Sequence, residues 1–372
     1  MNNHIVTPHV AVEHLTNVAI IHGQLGHGGS ERQLFMLLQQ CDRRRWRPHL
    51  FISGELGVWE PRIRDLDIPV TLLTGNPLQK MRQFRRLCRA TSIRWLLSWS
   101  SYTNVYALAL LGMNVPCIGS FRNANFSDLP TRGRRVWQWL SLAGVSSIIC
   151  NSRETLAALQ KIVSSRKQLL YVPNGVQPLT DMPELRARWR SRLQLKDDAI
   201  LVVGVGRLTA QKNFGRFIEA MALANQQMPV HAVIAGPDMG LKAALEEQIR
   251  TAGLTSERIR LLGPVDDARE LICAADIFLL SSDYEGMPNV TLEAMASGVP
   301  CVSTPVNGIR ELIESGLNGM VTEPSAAALA QAVLRLGQDA SARRTMGKYA
   351  QERILEKFAS AKVYQSVWEL CN

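Results

Sequence analysis

Residues 282–293 read Ser282-Asp283-Tyr284-Glu285-Gly286-Met287-Pro288-Asn289-Val290-Thr291-Leu292-Glu293 and set two carboxylates, Glu285 and Glu293, around a glycine–proline turn. The apolar run before them, Ile277-Phe278-Leu279-Leu280, has β character, and the pattern over 290–296 suits a helix. The stretch therefore spells a strand, a loop and a helix. At a helix N-terminus the first backbone N–H groups have no partner within the helix and carry the positive end of its dipole, so an anion can settle there. The two carboxylates would then face whatever the anion carries on either side. A strand–loop–helix with two glutamates is equally an ordinary piece of an α/β sheet, and alone it decides nothing.

A second loop of this kind comes early. Residues 17–22 read as a buried parallel strand and run into Gly23-Gln24-Leu25-Gly26-His27-Gly28-Gly29-Ser30-Glu31-Arg32, with an amphipathic helix predicted over 33–40. The glycines allow a ligand to approach bare backbone. The dinucleotide fingerprint GxGxxG is absent, and no acidic residue follows at its expected distance. Further strands are predicted at 48–53, 70–73, 95–99, 117–120, 147–151 and 168–172, with helices between most of them. A second series follows a charged helix at 184–193: strands at 199–205, 230–235, 259–262, 275–280 and 300–304, and helices at 214–225 and 241–252. Strands alternating with helices predict doubly wound parallel sheets. Two such series predict two α/β domains, residues 1–173 and 174–354, with a helical tail over 355–372 carrying Tyr364 and Trp368 back onto the first. Ligands of open α/β sheets bind beyond the carboxyl ends of the strands, so a cleft between the domains is expected.

Bulk properties narrow the class. The chain has 372 residues, 46% of them hydrophobic, and no low-complexity tract. No apolar run approaches the roughly 20 residues of a membrane-spanning helix, the best being 105–113, and the polar first 14 residues do not resemble a signal peptide. A cytoplasmic protein is expected. The seven cysteines are scattered without a CxxC pair, which points away from a disulfide framework and from a zinc site and toward core thiols. Up to residue 172 there are 21 Lys and Arg against 9 Asp and Glu; from 173 onward there are 21 against 23. Two runs in the basic half, Lys80-Met81-Arg82-Gln83-Phe84-Arg85-Arg86 and Arg132-Gly133-Arg134-Arg135-Val136-Trp137-Gln138-Trp139-Leu140, mix cations with large apolar residues. They are either solvated helix faces or a surface for something anionic. No nucleic-acid recognition motif accompanies them.

Four segments together have a family likeness: Gly26-His27-Gly28-Gly29-Ser30-Glu31-Arg32, Val172-Pro173-Asn174-Gly175-Val176, Gly206-Arg207-Leu208-Thr209-Ala210-Gln211-Lys212-Asn213, and the two-glutamate stretch continuing into Ala294-Met295-Ala296-Ser297-Gly298-Val299-Pro300. In this order and spacing the chain resembles family 4 of the retaining glycosyltransferases, which have the GT-B fold of two Rossmann-like domains. The resemblance implies transfer of a sugar from a nucleotide-diphosphate donor to an acceptor hydroxyl, without a bound metal or other cofactor, the donor being a UDP-sugar rather than a GDP-sugar. It implies that Arg207 and Lys212 hold the two phosphates, one as a forked donor and one as a point charge. Backbone at Gly28, Gly29, Gly206, Met287, Asn289 and Val290 would complete the cradle, Glu293 would hold the ribose, Glu285 would lie by the sugar, and Val265 would lie by the base. Many relatives carry a histidine after the strand that here ends Ser120-Phe121; this chain has Arg122-Asn123, and Arg122 is expected to reach the sugar or phosphate or to serve the acceptor. Retention through a double displacement would need a carboxylate nucleophile on the far face of the sugar, and the N-terminal loops offer none where the family pattern would place it. A front-face mechanism is therefore expected, with a lipid-linked or polysaccharide acceptor and an anionic membrane surface as partner.

Other features carry plainer readings. His27 reads as a loop residue. Asp65-Leu66-Asp67 imitates a metal-binding DxD but lies where a helix should end before a strand. Asn125-Phe126-Ser127 and Asn289-Val290-Thr291 match a glycosylation sequon without consequence in a cytoplasmic chain. Trp95, Trp99, Trp137 and Trp139 read as core residues. The competing functions are a GT-B sugar-nucleotide epimerase or hydrolase, which would need acid–base groups that are scarce here, and a silent nucleotide-binding protein, which the set Arg207, Lys212, Glu285 and Glu293 argues against.

Overall fold

In the computed structural model the described residues are 15–123, 129 and 132–371. The polar leader and the Asn125-Phe126-Ser127 triplet lie outside them. Among the described residues there are thirteen strands: β1 (Thr16–His22), β2 (Trp46–Ile52), β3 (Val70–Leu72), β4 (Trp95–Ser98), β5 (Cys117–Phe121), β6 (Ser147–Cys150), β7 (Gln168–Tyr171), β8 (Ile200–Val205), β9 (Val230–Ala235), β10 (Ile259–Gly263), β11 (Ile277–Leu280), β12 (Cys301–Ser303) and β13 (Gly319–Val321). They form two sheets, ordered β3-β2-β1-β4-β5-β6-β7 and β10-β9-β8-β11-β12-β13. The registered pairs, from β1 with β2 to β12 with β13, are parallel. By contacts the chain divides into two compact units, one of residues 1–120, 129–148 and 368–372 and the other of 121–128 and 149–367.

The near-continuous apolar strands have the cause expected of parallel sheets covered on both faces. In the second unit, Leu201, Val203 and Val205 of β8 and Phe278 and Leu280 of β11 join one buried cluster, while Val202, Ile277 and Leu279 join the other. Successive side chains thus feed opposite faces. In the first unit, Val18 to Ile21 of β1 are fully buried between β2 and β4. Phe84, on the helix Pro77–Ala90, meets Phe51 edge-on at 5.0 Å and Tyr106 at 5.5 Å. β13 and the helix Ala326–Gln338 extend the second unit beyond the predicted elements. Three strand residues are too few for a period to show.

All seven cysteines are buried and unbridged. Asp65 ends the helix Glu60–Arg64 and Asp67 turns left-handed at φ 55°, so the DxD-like triplet is a helix terminus. The reading of all four tryptophans as core fails at Trp139. Trp99 is fully buried, but Trp139 is 66% exposed, because it shares a face of the helix Arg134–Ala143 with exposed Val136 rather than with the packed Ser141.

Candidate functional site

The second sheet reverses its strand order between β8 and β11, and such a switch point opens a crevice past the strand ends. Two loops leave the sheet there, 206–213 after β8 and 281–288 after β11. The first makes a single tight turn over Ala210–Lys212, then Asn213, left-handed at φ 44°, caps the helix Phe214–Asn225 by accepting from the Arg216 amide. The second leads into the helix Asn289–Ala296.

The loops are stitched together. The Asp283 amide donates to the Gln211 carbonyl at 2.9 Å, the Ser281 hydroxyl to the Lys212 carbonyl at 2.9 Å, and the Gln211 side chain to the Tyr284 carbonyl at 2.9 Å. Arg216 adds an ion pair to Asp283 at 2.7 Å. At the centre, the Lys212 ammonium lies 2.6 Å from Glu285 Oε1, with the two side chains 14% and 10% exposed, and the Ser282 hydroxyl donates to the same oxygen at 2.7 Å. Gly206 closes the knot: a Cβ there would lie 2.9 Å from Lys212 Cε. The resemblance singled out Lys212, Glu285 and Gly206, and the fold brings them into contact. Arg207, one residue past Gly206, is exposed and has no acidic partner among the described residues.

A second network holds the turn before the helix. Asn174 is 3% exposed; its amide nitrogen donates to the Met287 carbonyl at 3.1 Å and to Asn289 Oδ1 at 2.6 Å, and its oxygen accepts from the Arg122 guanidinium at 2.9 Å. Arg122 is itself buried, and that burial lowers its pKa to about 10, so it remains charged at neutral pH. Its side chain is spent on Asn174 rather than presented to solvent. Asn174 was visible in the Pro173-Asn174-Gly175 motif, but nothing in sequence assigned it a role. Gly286 fits because a Cβ would overlap the Arg122 carbonyl. Gly308, at φ 72°, needs both the left-handed backbone and the room, since its Cβ would sit 2.8 Å from the Gly286 carbonyl oxygen.

Glu293 is buried on the helix Asn289–Ala296, and its charge helps to hold the neighbouring Arg269 guanidinium above its ordinary pKa, against burial and after the larger effect of Asp267. Asp267 grips Arg269 at 2.6 Å and caps the helix Ala268–Cys273. Val265, half buried, packs against the sheet's core. Gly28 and Gly29 belong to the first unit, where Gly28 caps the helix Gly29–Gln39 and the Glu31 carboxylate folds back over it, so that a Cβ there would have to displace that side chain. Chemically, the switch point of the second sheet offers an exposed guanidinium, a sequestered ammonium and a helix N-terminus, three features suited to a polyanion.

Comparison with known proteins follows the same lines. A family model described as Glycosyltransferase Family 4 matches residues 27–178, and one described as Glycosyl transferases group 1 matches 199–339. The chain is 26% identical over 330 residues to the lipopolysaccharide core biosynthesis glycosyltransferase LpsE of Rhizobium meliloti, covering 88% of this chain and 87% of that one. It is 28% identical over 199 residues to the Escherichia coli UDP-Gal:alpha-D-GlcNAc-diphosphoundecaprenol alpha-1,3-galactosyltransferase, about half of each chain. Its fold matches that of Anabaena HepE, solved in complex with UDP-glucose, at a TM-score of 0.83 and 23% identity over 95% of this chain and 98% of that one.

Proposed function

The chain belongs to glycosyltransferase family 4 and has the GT-B fold of two parallel α/β sheets, and on that premise we propose that it moves a sugar from a UDP-sugar to an acceptor hydroxyl in cell-envelope polysaccharide or lipopolysaccharide synthesis, with retention and without a metal. The observation that carries this reading is the pair of cations on the loop that leaves the switch point after β8: Arg207 exposed and without an acidic partner among the described residues, and Lys212 held beside Glu285 on the loop that leads into the helix Asn289–Ala296. Charge grows on the diphosphate as the glycosidic bond breaks, and preorganised donors aimed at that charge supply the catalysis. Arg207 engages the diphosphate from solvent. Lys212 has a short reach because Glu285 already fixes its head, so it adds a point charge at a set place. In a front-face transfer the leaving phosphate accepts the acceptor's proton, and the protein positions and neutralises. The UDP preference draws support from the names of the galactosyltransferase relative and the HepE complex.

The acceptor is lipid-linked or a growing polysaccharide, reached at the inner face of the membrane. Among the described residues no helix is long and apolar enough to cross a bilayer. Docking is instead assigned to the basic half: from residue 68 to 153 there are 11 Lys and Arg and a single acid, Asp128. On the helix Arg134–Ala143, Arg135, Val136 and Trp139 are exposed together, a cation beside two apolar groups at interfacial spacing.

Thermal denaturation with UDP, GDP, ADP and their glucose conjugates tests the donor. A ligand bound only by the folded chain at about 100 times its Kd adds roughly 2.7 kcal/mol, so UDP and UDP-sugars should raise the midpoint, and Arg207→Ala should abolish the rise. No stabilisation by any nucleotide would refute the proposal. Product analysis by NMR then reads the anomeric configuration, and activity kept in EDTA supports metal independence.

A further inference from the structure

A cavity of about 150 Å³ opens beside the 286–287 turn, lined by Asn123, Glu154 and Asn307, with Phe121 and Leu159 as its apolar wall. Pockets that engulf a whole small molecule usually run from roughly 300 Å³ upward, so this one takes a single ring or part of one. Its place is set by close packing. A Cβ at Gly286 would lie 3.2 Å from the Asn123 Cα, and Gly308, next to Asn307, sits against the Gly286 carbonyl and the Met287 Cα. Two of the polar residues therefore adjoin the turn that opens the helix Asn289–Ala296.

The lining is oriented and still has valence to spare. Ser152 caps the helix Arg153–Gln160 by accepting from the Thr155 amide, which fixes Glu154 on its first turn. One carboxylate oxygen of Glu154 accepts from the Gly308 amide at 3.2 Å. Among the described residues its other oxygen has no hydrogen-bond partner, and neither do the side-chain amides of Asn123 and Asn307. A carboxylate accepts from hydroxyls, a carboxamide both donates and accepts, and an apolar wall covers the C–H face of a ring. That combination suits a polyhydroxylated ring better than an anion, which Glu154 would repel, or an apolar group, which would strand three polar side chains.

We propose that this cavity is a sugar subsite, with Glu154 accepting from ring hydroxyls and Asn123 and Asn307 fixing their orientation. The proposal rests on reading the neighbouring loops as a nucleotide-sugar site. The ring is the one transferred or the one receiving it; both are polyols and both must come next to the diphosphate.

Calorimetry on the full chain distinguishes the two, using UDP, UDP-glucose and UDP-N-acetylglucosamine as donor probes and the methyl glycosides of glucose, galactose and N-acetylglucosamine as acceptor probes. Glu154→Gln keeps an acceptor for the Gly308 amide while removing the charge, and Asn307→Ala guards against a folding defect in the first variant. Both variants should bind UDP within about twofold of wild type; affinity for sugars should fall about tenfold or more in Glu154→Gln, the scale for a hydrogen bond to a charged group, and about three- to tenfold in Asn307→Ala, the scale for a neutral one. Loss confined to the UDP-sugars assigns the transferred ring; loss confined to the methyl glycosides assigns the receiving ring. A wild-type chain that binds glycosides through Glu154 but no UDP keeps the subsite and removes the nucleotide-sugar reading. Sugar affinities unchanged in both variants, or no sugar-dependent binding at all, overturn the subsite whether or not UDP binds.

Discussion

Arg207 and Lys212 were legible in sequence as a pair of cations five residues apart, but the fold treats them differently. Arg207 is exposed and without an acidic partner among the described residues, so Arg207→Ala should leave the melting temperature nearly unchanged, as surface changes within about 0.5 kcal/mol do. The same change should lower kcat/KM by about 100- to 1,000-fold, the scale for losing one donor to developing charge. Steady-state kinetics and calorimetry on one preparation check both. Glu285→Gln differs, because Lys212 at 2.6 Å would lose its ion pair in a largely buried site. It should cost about 1–3 kcal/mol, read from the urea midpoint. The buried thiols give a pH prediction. Burial pushes Cys41, Cys88, Cys117, Cys150 and Cys371 up from 9.0 to about 12. A raised folded-state pKa contributes stability that is complete below the unfolded value and is lost as pH rises through the folded one. Stability should therefore fall as pH rises from about 9 to 12, and a thiol reagent at pH 8 should titrate almost nothing until the chain is denatured.

At the scale of elements, the strand–loop–helix stretch was readable because its apolar run, its turn residues and its helical pattern are local. How the turn is held was not, since its supports come from residues 122, 174 and 308, far away in the chain. Two glycine substitutions separate crowding from backbone strain. Gly286→Ala must displace the Arg122 carbonyl and should cost about 1–3 kcal/mol, as overpacking does. Gly240→Ala meets open space and pays only for φ 94°, about 1–2 kcal/mol. The variants should also part in function: chemical denaturation records both losses, whereas UDP affinity should fall for Gly286→Ala alone, because only that turn borders the helix N-terminus assigned to the diphosphate.

At the scale of the whole molecule, the uneven charge predicts salt-sensitive binding to vesicles containing phosphatidylglycerol, weaker by an order of magnitude or more between low and physiological ionic strength as exposed charges are screened. Trp139→Ser should weaken that binding without changing UDP affinity; vesicle sedimentation against calorimetry checks it, and binding indifferent to salt and to Trp139 would refute the docking face. Alternating strands and helices, the parallel class of both sheets and the core cysteines were all determined by the sequence alone, because periodicity, turn residues and composition act within a few neighbours. Tertiary structure alone decided that β8 and β11 lie side by side, that Lys212 closes on Glu285, that Arg122 turns inward to Asn174, and that Trp139 faces water. Each of those depends on which distant segments share a face, and in a parallel sheet that is settled by strand order, which local spacing does not encode.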